Sequence, residues 1–176
     1  MAGKLPGSAE QVIEGRQYVT FYLNNEEYAF DALTVQEIIE LSPVTKVPHL
    51  PAFFKGVINL RGFIIPVIEL KQKFGMQPEK DYKHTCVIVT EFSRGVMGLI
   101  VDAVSDVLRI PEESVTPLPP FGTGMDVSFI RGMGKIDGRL VLILDIDKVI
   151  AEEPSTISGI AKEVAFDSQP LSQTPG

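Results

Sequence analysis

Residues Gly56–Leu70, GVINLRGFIIPVIEL, lie without a gap over Gly132–Ile146, GMGKIDGRLVLILDI, so that the turn glycines Gly62 and Gly138 coincide at an offset of 76 residues. A second pair of segments stands earlier in each copy: Phe30-Asp31-Ala32-Leu33 and Val101-Asp102-Ala103-Val104, at an offset of 71. Each is followed by an amphipathic stretch, Val35-Gln36-Glu37-Ile38 in one and Ser105-Asp106-Val107-Leu108 in the other. Self-similarity of this kind marks one supersecondary unit used twice. The chain is therefore expected to form two modules of roughly 70 residues, each with four or five short strands. Sheets so short avoid exposed edges by closing into small barrels. The cleft between the barrels is a candidate binding surface. A single larger β-sandwich would accommodate the same strands.

Runs rich in Val, Ile, Phe and Tyr predict strands at 18–23, 27–30, 57–60, 63–68, 85–92, 96–101 and 140–144. Asn24-Asn25, Arg61-Gly62, Arg94-Gly95 and Asp137-Gly138 supply residues that tolerate positive φ, as tight hairpins require. Short helices are predicted around Thr34–Ile39, from Pro51, over Glu69–Phe74 with Gly75 as its C-terminal cap, and over Asp145–Ala151. The expected division is a mobile N-terminus over 1–15, a two-module domain over 16–152 split near residue 80, and a mobile tail over 153–176. Within that tail Ile157, Ile160, Val164 and Ala165 have helical spacing, which fits a short helix packed on its own domain or one that meets a partner.

The composition, 44% hydrophobic and 22% charged over 176 residues, is that of a globular chain able to bury a core. The net charge of −7 disfavours long-range attraction to nucleic acid or an anionic membrane. Cys86, the lone cysteine, sits in an apolar run and reads as a small buried hydrophobe in a reducing compartment. No stretch has the length and apolarity of a membrane span, and Met1–Glu10 lacks the segments of a signal peptide, so a cytoplasmic protein is expected.

Chemistry is sparse. The two histidines, His49 and His84, do not fall at metal-ligand spacing. His84 and Cys86 share a strand face, which raises a thiol and a base of a hydrolase, but a structural cysteine beside a strand-end histidine is the commoner arrangement. Gly122-Thr123-Gly124 lacks the third glycine of a dinucleotide loop, and Gly134-Lys135 is followed by Ile136 where a phosphate loop needs Ser or Thr. A single-strand-binding barrel would interleave aromatics with basic residues, whereas Phe21, Tyr22, Tyr28, Phe30 and Phe92 lie in apolar strands without them.

Taken in order, Tyr28–Asp31, Val35–Ile38, Phe54–Gly62, Pro66–Leu70, Gly98–Asp102 and the Asp137-Gly138-Arg139 hairpin resemble the signature of the CheW family of bacterial chemotaxis coupling proteins. Asn59-Leu60-Arg61-Gly62 is the most specific piece, and the resemblance covers about residues 16–152. It implies a mainly β fold of two intertwined five-stranded SH3-like barrels with short connecting helices. It implies no catalysis and no cofactor. The implied partners are the regulatory domain of the histidine kinase CheA and the cytoplasmic tip of methyl-accepting chemoreceptors, with no nucleic acid and no direct membrane insertion. A parallel chemosensory pathway controlling surface motility or gene expression is the neighbouring reading.

In the family an arginine at the place of Arg61 is functional, so Arg61 is assigned to partner binding, with Asn59 and Gly62 of the same turn. Glu37 is expected to pair with Arg61 if its segment abuts the hairpin, which would orient the guanidinium. Val35 and Ile38, on a predicted helical stripe with Ile39, offer an edge for an apolar receptor helix, while Ile39 is given to the core. Lys46 and Phe53 flank the hairpin and are added to the candidate contacts.

Overall fold

The computed structural model describes residues 15–77, 81–119 and 127–151. The tail stripe at 157–165, the Gly122-Thr123-Gly124 stretch and the N-terminal ten residues lie outside the described residues.

The strands are β1 (Arg16–Leu23), β2 (Glu26–Asp31), β3 (Val35–Glu40), β4 (Phe54–Leu60), β5 (Phe63–Glu69), β6 (Cys86–Phe92), β7 (Gly95–Val101), β8 (Ala103–Ile110), β9 (Val115–Thr116), β10 (Ile130–Ile136) and β11 (Arg139–Leu144). Two short helices, α1 (Leu70–Lys73) and α2 (Ile146–Ala151), follow β5 and β11. At the turns Asn24-Asn25, Arg61-Gly62 and Asp137-Gly138 both central residues have positive φ. That is the geometry whose twist matches the paired strands.

Two sheets result, in the orders β9-β10-β11-β2-β1-β8 and β3-β6-β7-β5-β4. The first takes segments 16–31 and 103–144, the second 35–101, so the sheets do not divide the chain at residue 80. Each repeat gives its leading hairpin to the other. The β1–β2 hairpin pairs with β8 and, in parallel, with β11, while the β6–β7 hairpin pairs with β3 and, in parallel, with β5. This exchange is what makes the modules intertwined.

Two helix readings are corrected. The segment predicted as a helix over Thr34–Ile39 is a 3-10 turn at Ala32–Thr34 followed by β3, which hydrogen-bonds to β6. Its β-branched residues suit a pleated surface, and the supposed helical stripe splits between two faces. Val35 and Ile39 are half-buried while Ile38 between them is exposed. The segment at Pro51 is a turn closed by Phe54 N–H donating to the Pro51 carbonyl, 3.0 Å, and β4 begins directly after it. The counterpart of β3 is likewise a strand, β8, and both carry a bulge near their start, between Val35 and Glu37 and between Val104 and Asp106.

Each sheet encloses apolar residues of its own, Ile58, Ile65, Val67, Val87, Val89 and Ile100 in the second and Tyr18, Ala29, Ile110, Val141 and Ile143 in the first. Two separate interiors are the mark of two rolled barrels and not of one sandwich. The largest cluster lies between them, where Phe21, Phe30, Ile88, Leu99, Leu144 and Ile150 meet from both repeats. The barrels are therefore welded by a shared core, and neither buries its surface alone.

Two clasps reinforce the weld. Asn24 in the β1–β2 turn donates its N–H to Asp102 Oδ2 at 2.9 Å, and the buried Lys71 of α1 reaches Asp102 Oδ1 at 3.0 Å and Asn24 Oδ1 at 3.3 Å. At the related position α2 holds the β6–β7 turn, with Ser93 N–H donating to Asp147 Oδ1 at 2.9 Å. The leading glycine of the repeat, inside β4, has its own role. Gly56 has φ +138°, and a Cβ there would stand 2.0 Å from the Thr45 carbonyl oxygen, which bonds to Val57 N–H. Gly56→Ala is expected to cost about 3 kcal/mol, combining backbone strain with displacement of the Thr45 segment. Gly62→Ala, at φ +91° with open space around it, should cost about 1 kcal/mol. Urea midpoints of the two variants check the difference.

Candidate functional site

The turn between β4 and β5 is built locally. Asn59 Oδ1 accepts the Gly62 N–H at 2.8 Å, and Arg61 takes φ +52°, so the side chain of Arg61 projects from a fixed base. Glu37 arrives from β3, at the opposite edge of the same sheet. The bulge next to Glu37 is the device that re-aims a strand side chain. Arg61 Nη1 donates to Glu37 Oε1 at 3.3 Å and Nη2 to Glu37 Oε2, a two-point contact that joins the edges of the rolled sheet. Forked guanidinium–carboxylate geometry fixes orientation as well as charge. The hydrogen bonds from Arg61 hold the Glu37 carboxyl below the usual glutamate range, and Glu37 in turn raises Arg61. The Arg61 side chain is still 69% exposed, so its remaining N–H donors face solvent.

Beside the pair opens a groove of about 400 Å³, walled by Leu60, Phe63, Ile65, Pro66 and Val96, all from the second sheet. Phe63 is 53% exposed although it is a large aromatic. A concave apolar wall with one oriented charged pair at its rim suits the apolar face of a helix carrying a polar flank.

The remaining predicted residues separate. Ile38 is 41% exposed on β3, next to Glu37. Val35 is half-buried and packs on the shared core. Lys46 is exposed but lies elsewhere, lining a groove of about 320 Å³ with Leu41, Val44, Lys55 and Tyr82 at the other ends of the same strands. Two of its lining residues meet the buried Glu69, which accepts from Tyr82 Oη at 2.9 Å and stands 3.5 Å from Lys55 Nζ. Phe53 is buried in the shared core under Lys73, whose Nζ stands 4.5 Å from the ring centroid, so the contact assigned to it is corrected to core packing. The Cys86 thiol points to the backbone carbonyl of His84 at 3.9 Å, and among the described residues no group of three or more His, Cys, Asp or Glu could hold a metal ion.

A fold of two barrels sharing one core, with an arginine turn facing a strand glutamate, can be compared with known proteins. The sequence profile described as the CheW-like domain matches residues 17–154. The chain belongs to the CheW-like domain family. It is 40% identical over 149 residues to a chemotaxis protein CheW of Klebsiella aerogenes, covering 84% of this chain and 90% of that one. It is 37% identical over 139 residues to a chemotaxis protein CheW of Thermotoga maritima, covering 77% and 88%. The crystal structure of the scaffolding protein TtCheW from Thermoanaerobacter tengcongensis superposes with a TM-score of 0.73 at 37% identity, over 81% of this chain and 97% of that one.

The two halves of this CheW-like domain differ where the site lies. Arg61 has Asp137 as its counterpart, an acid that cannot replace the guanidinium in the pair. Phe63 is replaced by Arg139, which donates to the buried Glu27 from Nε at 3.2 Å and from Nη2 at 3.0 Å. The repeat thus supplies a scaffold twice and the arginine-rimmed groove in the second barrel. Phe63, Leu60 and Val96 escaped the sequence reading because strand apolars look like core. For Phe63 the available signal was its repeat partner Arg139: a wall residue whose counterpart is charged stands at a position that tolerates solvent.

Proposed function

We propose that this chain is a non-enzymatic chemotaxis scaffold that couples methyl-accepting chemoreceptors to the histidine kinase CheA. The observation that carries the reading is the Arg61–Glu37 pair set on an exposed apolar groove in a CheW-like domain. The groove takes the apolar face of a receptor hairpin tip, with Leu60 and Phe63 as packing surface and Arg61 as the polar anchor. The Lys46 groove, at the other end of the barrel, takes the regulatory domain of the kinase. Two weak contacts on one rigid body hold receptor and kinase at high local concentration, so neither contact needs to be strong. The protein works in the cytoplasm, recruited to receptor arrays. Among the described residues no helix is long and apolar enough to cross a membrane.

The test is co-sedimentation of kinase with receptor-containing membranes, with and without the protein. Recruitment that depends on it supports the reading, and absence of recruitment with any cognate kinase sinks it. A second arm separates the surfaces. Lys46→Glu should weaken kinase recruitment by about 3–10-fold, as charge reversal at an interface rim does, while sedimentation of the protein itself with receptor membranes stays unchanged.

A further inference from the structure

We propose that Asn59 is a positioning residue: its side chain locks the β4–β5 turn in the form that holds Arg61 at the rim of the groove, and it acts on a partner only through Arg61. The proposal rests on the reading of that groove as a partner surface.

The molecule carries its own controls, because the hairpin turns Arg61-Gly62, Asp137-Gly138 and Asn24-Asn25 share one geometry. Their central residues take φ of +52° and +91°, +48° and +76°, and +51° and +70°. The strand pairs that flank them match as well, Leu60 with Phe63, Ile136 with Arg139 and Leu23 with Glu26. Two residues before each turn stand Asn59, Lys135 and Tyr22. Of these, Asn59 carries a short acceptor, and its Oδ1 takes the Gly62 N–H at 2.8 Å. Among the described residues no side chain accepts the N–H of Gly138 or of Asn25. The same turn therefore closes with a lysine or a tyrosine in that place, and the Asn59 bond is not what makes it.

What differs is the residue that must bend. Asn and Asp enter the left-handed region readily, whereas an arginine there is uncommon. Asn24 and Asp137 hold their turns by their own preference, and Arg61 does not. A strut on the one turn whose first residue disfavours the geometry keeps the Arg61 side chain leaving the backbone in a fixed direction. From that base the guanidinium meets Glu37 at two points, Nη1 to Oε1 at 3.3 Å and Nη2 to Oε2. Such a fork needs the backbone below it in register, so a turn that relaxes loses the fork first. Asn59 itself is exposed, and water can take over the Gly62 N–H, so the fold does not depend on the bond.

The test compares the full chain as wild type, Asn59→Ala, Arg61→Ala and the double variant. Without any partner, a 13C titration of the Glu37 carboxyl should show its midpoint rising in Asn59→Ala, from the lowered wild-type position toward that of Arg61→Ala. A residue that only touched the partner, or only supported the fold, would leave that midpoint where it was. Kinase recruitment to receptor membranes should fall about 3–10-fold in Asn59→Ala, the worth of one ordinary hydrogen bond. In the Arg61→Ala background the same change should remove nothing more, because it has no guanidinium left to aim. An unmoved Glu37 midpoint overturns the proposal. A further loss in the double variant makes Asn59 a contact in its own right and overturns it, and a urea midpoint well below wild type in Asn59→Ala does so by making the bond a need of the fold. Unchanged recruitment by Asn59→Ala where Arg61→Ala reduces it overturns it too. If Arg61→Ala also recruits normally, it is the reading of the groove that fails, and the titration still decides whether Asn59 positions Arg61.

Discussion

Arg61→Ala lowers kinase recruitment to receptor membranes by about thirtyfold or more, the loss typical of an arginine anchor at an interface centre, and leaves the unfolding midpoint where it was. The two halves of this expectation come from one geometry. The guanidinium is 69% exposed and its partner carboxylate 30% exposed, so water replaces the contact in the folded protein and the fold does not depend on it. The groove loses its oriented donor fork. Arg61→Lys should not restore it, because an ammonium cannot make the two-point contact with Glu37. The pH dependence carries the sign of a depressed carboxylate. Arg61 holds the folded-state value of Glu37 under its ordinary 4.5, through hydrogen bonding first and charge second. The pair's contribution is therefore complete above about pH 4.5 and is lost as the pH falls through the lower folded value. A 13C titration of the Glu37 carboxyl should give a midpoint under 4.5 in the wild type and a higher one in Arg61→Ala. Recruitment by Arg61→Ala equal to that of the wild type would show the residue to be a solvated turn.

How much of this was readable beforehand depends on the range of the forces involved. Hairpins are local, and Asn24-Asn25, Arg61-Gly62 and Asp137-Gly138 announce themselves because few residues accept positive φ at both turn positions. The repeat of Gly56–Leu70 in Gly132–Ile146 disclosed two modules. It did not disclose the exchange of hairpins, because the parallel pairings of β2 with β11 and β5 with β7 join segments far apart in the chain. Val35–Ile39 was misread for a different reason. Its apolar residues satisfy helical spacing, and a bulge and an edge position, both tertiary facts, decide for the strand. The Arg61–Glu37 pair was legible as a pairing of opposite charges on the condition that their segments abut. Its place across the mouth of a rolled sheet was not, since no local pattern shows which edges a barrel brings together.

Asp102→Ala destabilises the whole molecule, by about 2–3 kcal/mol, because it takes a carboxylate partner from the buried Lys71 ammonium. Lys71 is 6% exposed in its side chain and Asp102 23%, and that partial exposure puts the cost at the lower end of what breaking a buried pair entails. The same substitution removes the acceptor for the Asn24 N–H, so the β1–β2 turn loses its hold on α1. Because this hairpin sits in one barrel and α1 follows the other, the shared core loosens and unfolding should remain a single transition with a lower urea midpoint. Lys71→Met tests the charge argument. It keeps an apolar stem in the same space and leaves a carboxylate that can turn to water, so it should cost less than Asp102→Ala. The double variant should cost less than the two single losses added, since the two groups share one ion pair that either change alone already breaks. Strict additivity would mean that Lys71 and Asp102 act independently, and that the weld between the barrels resides in the apolar cluster of Phe21, Phe30, Ile88 and Leu99 alone.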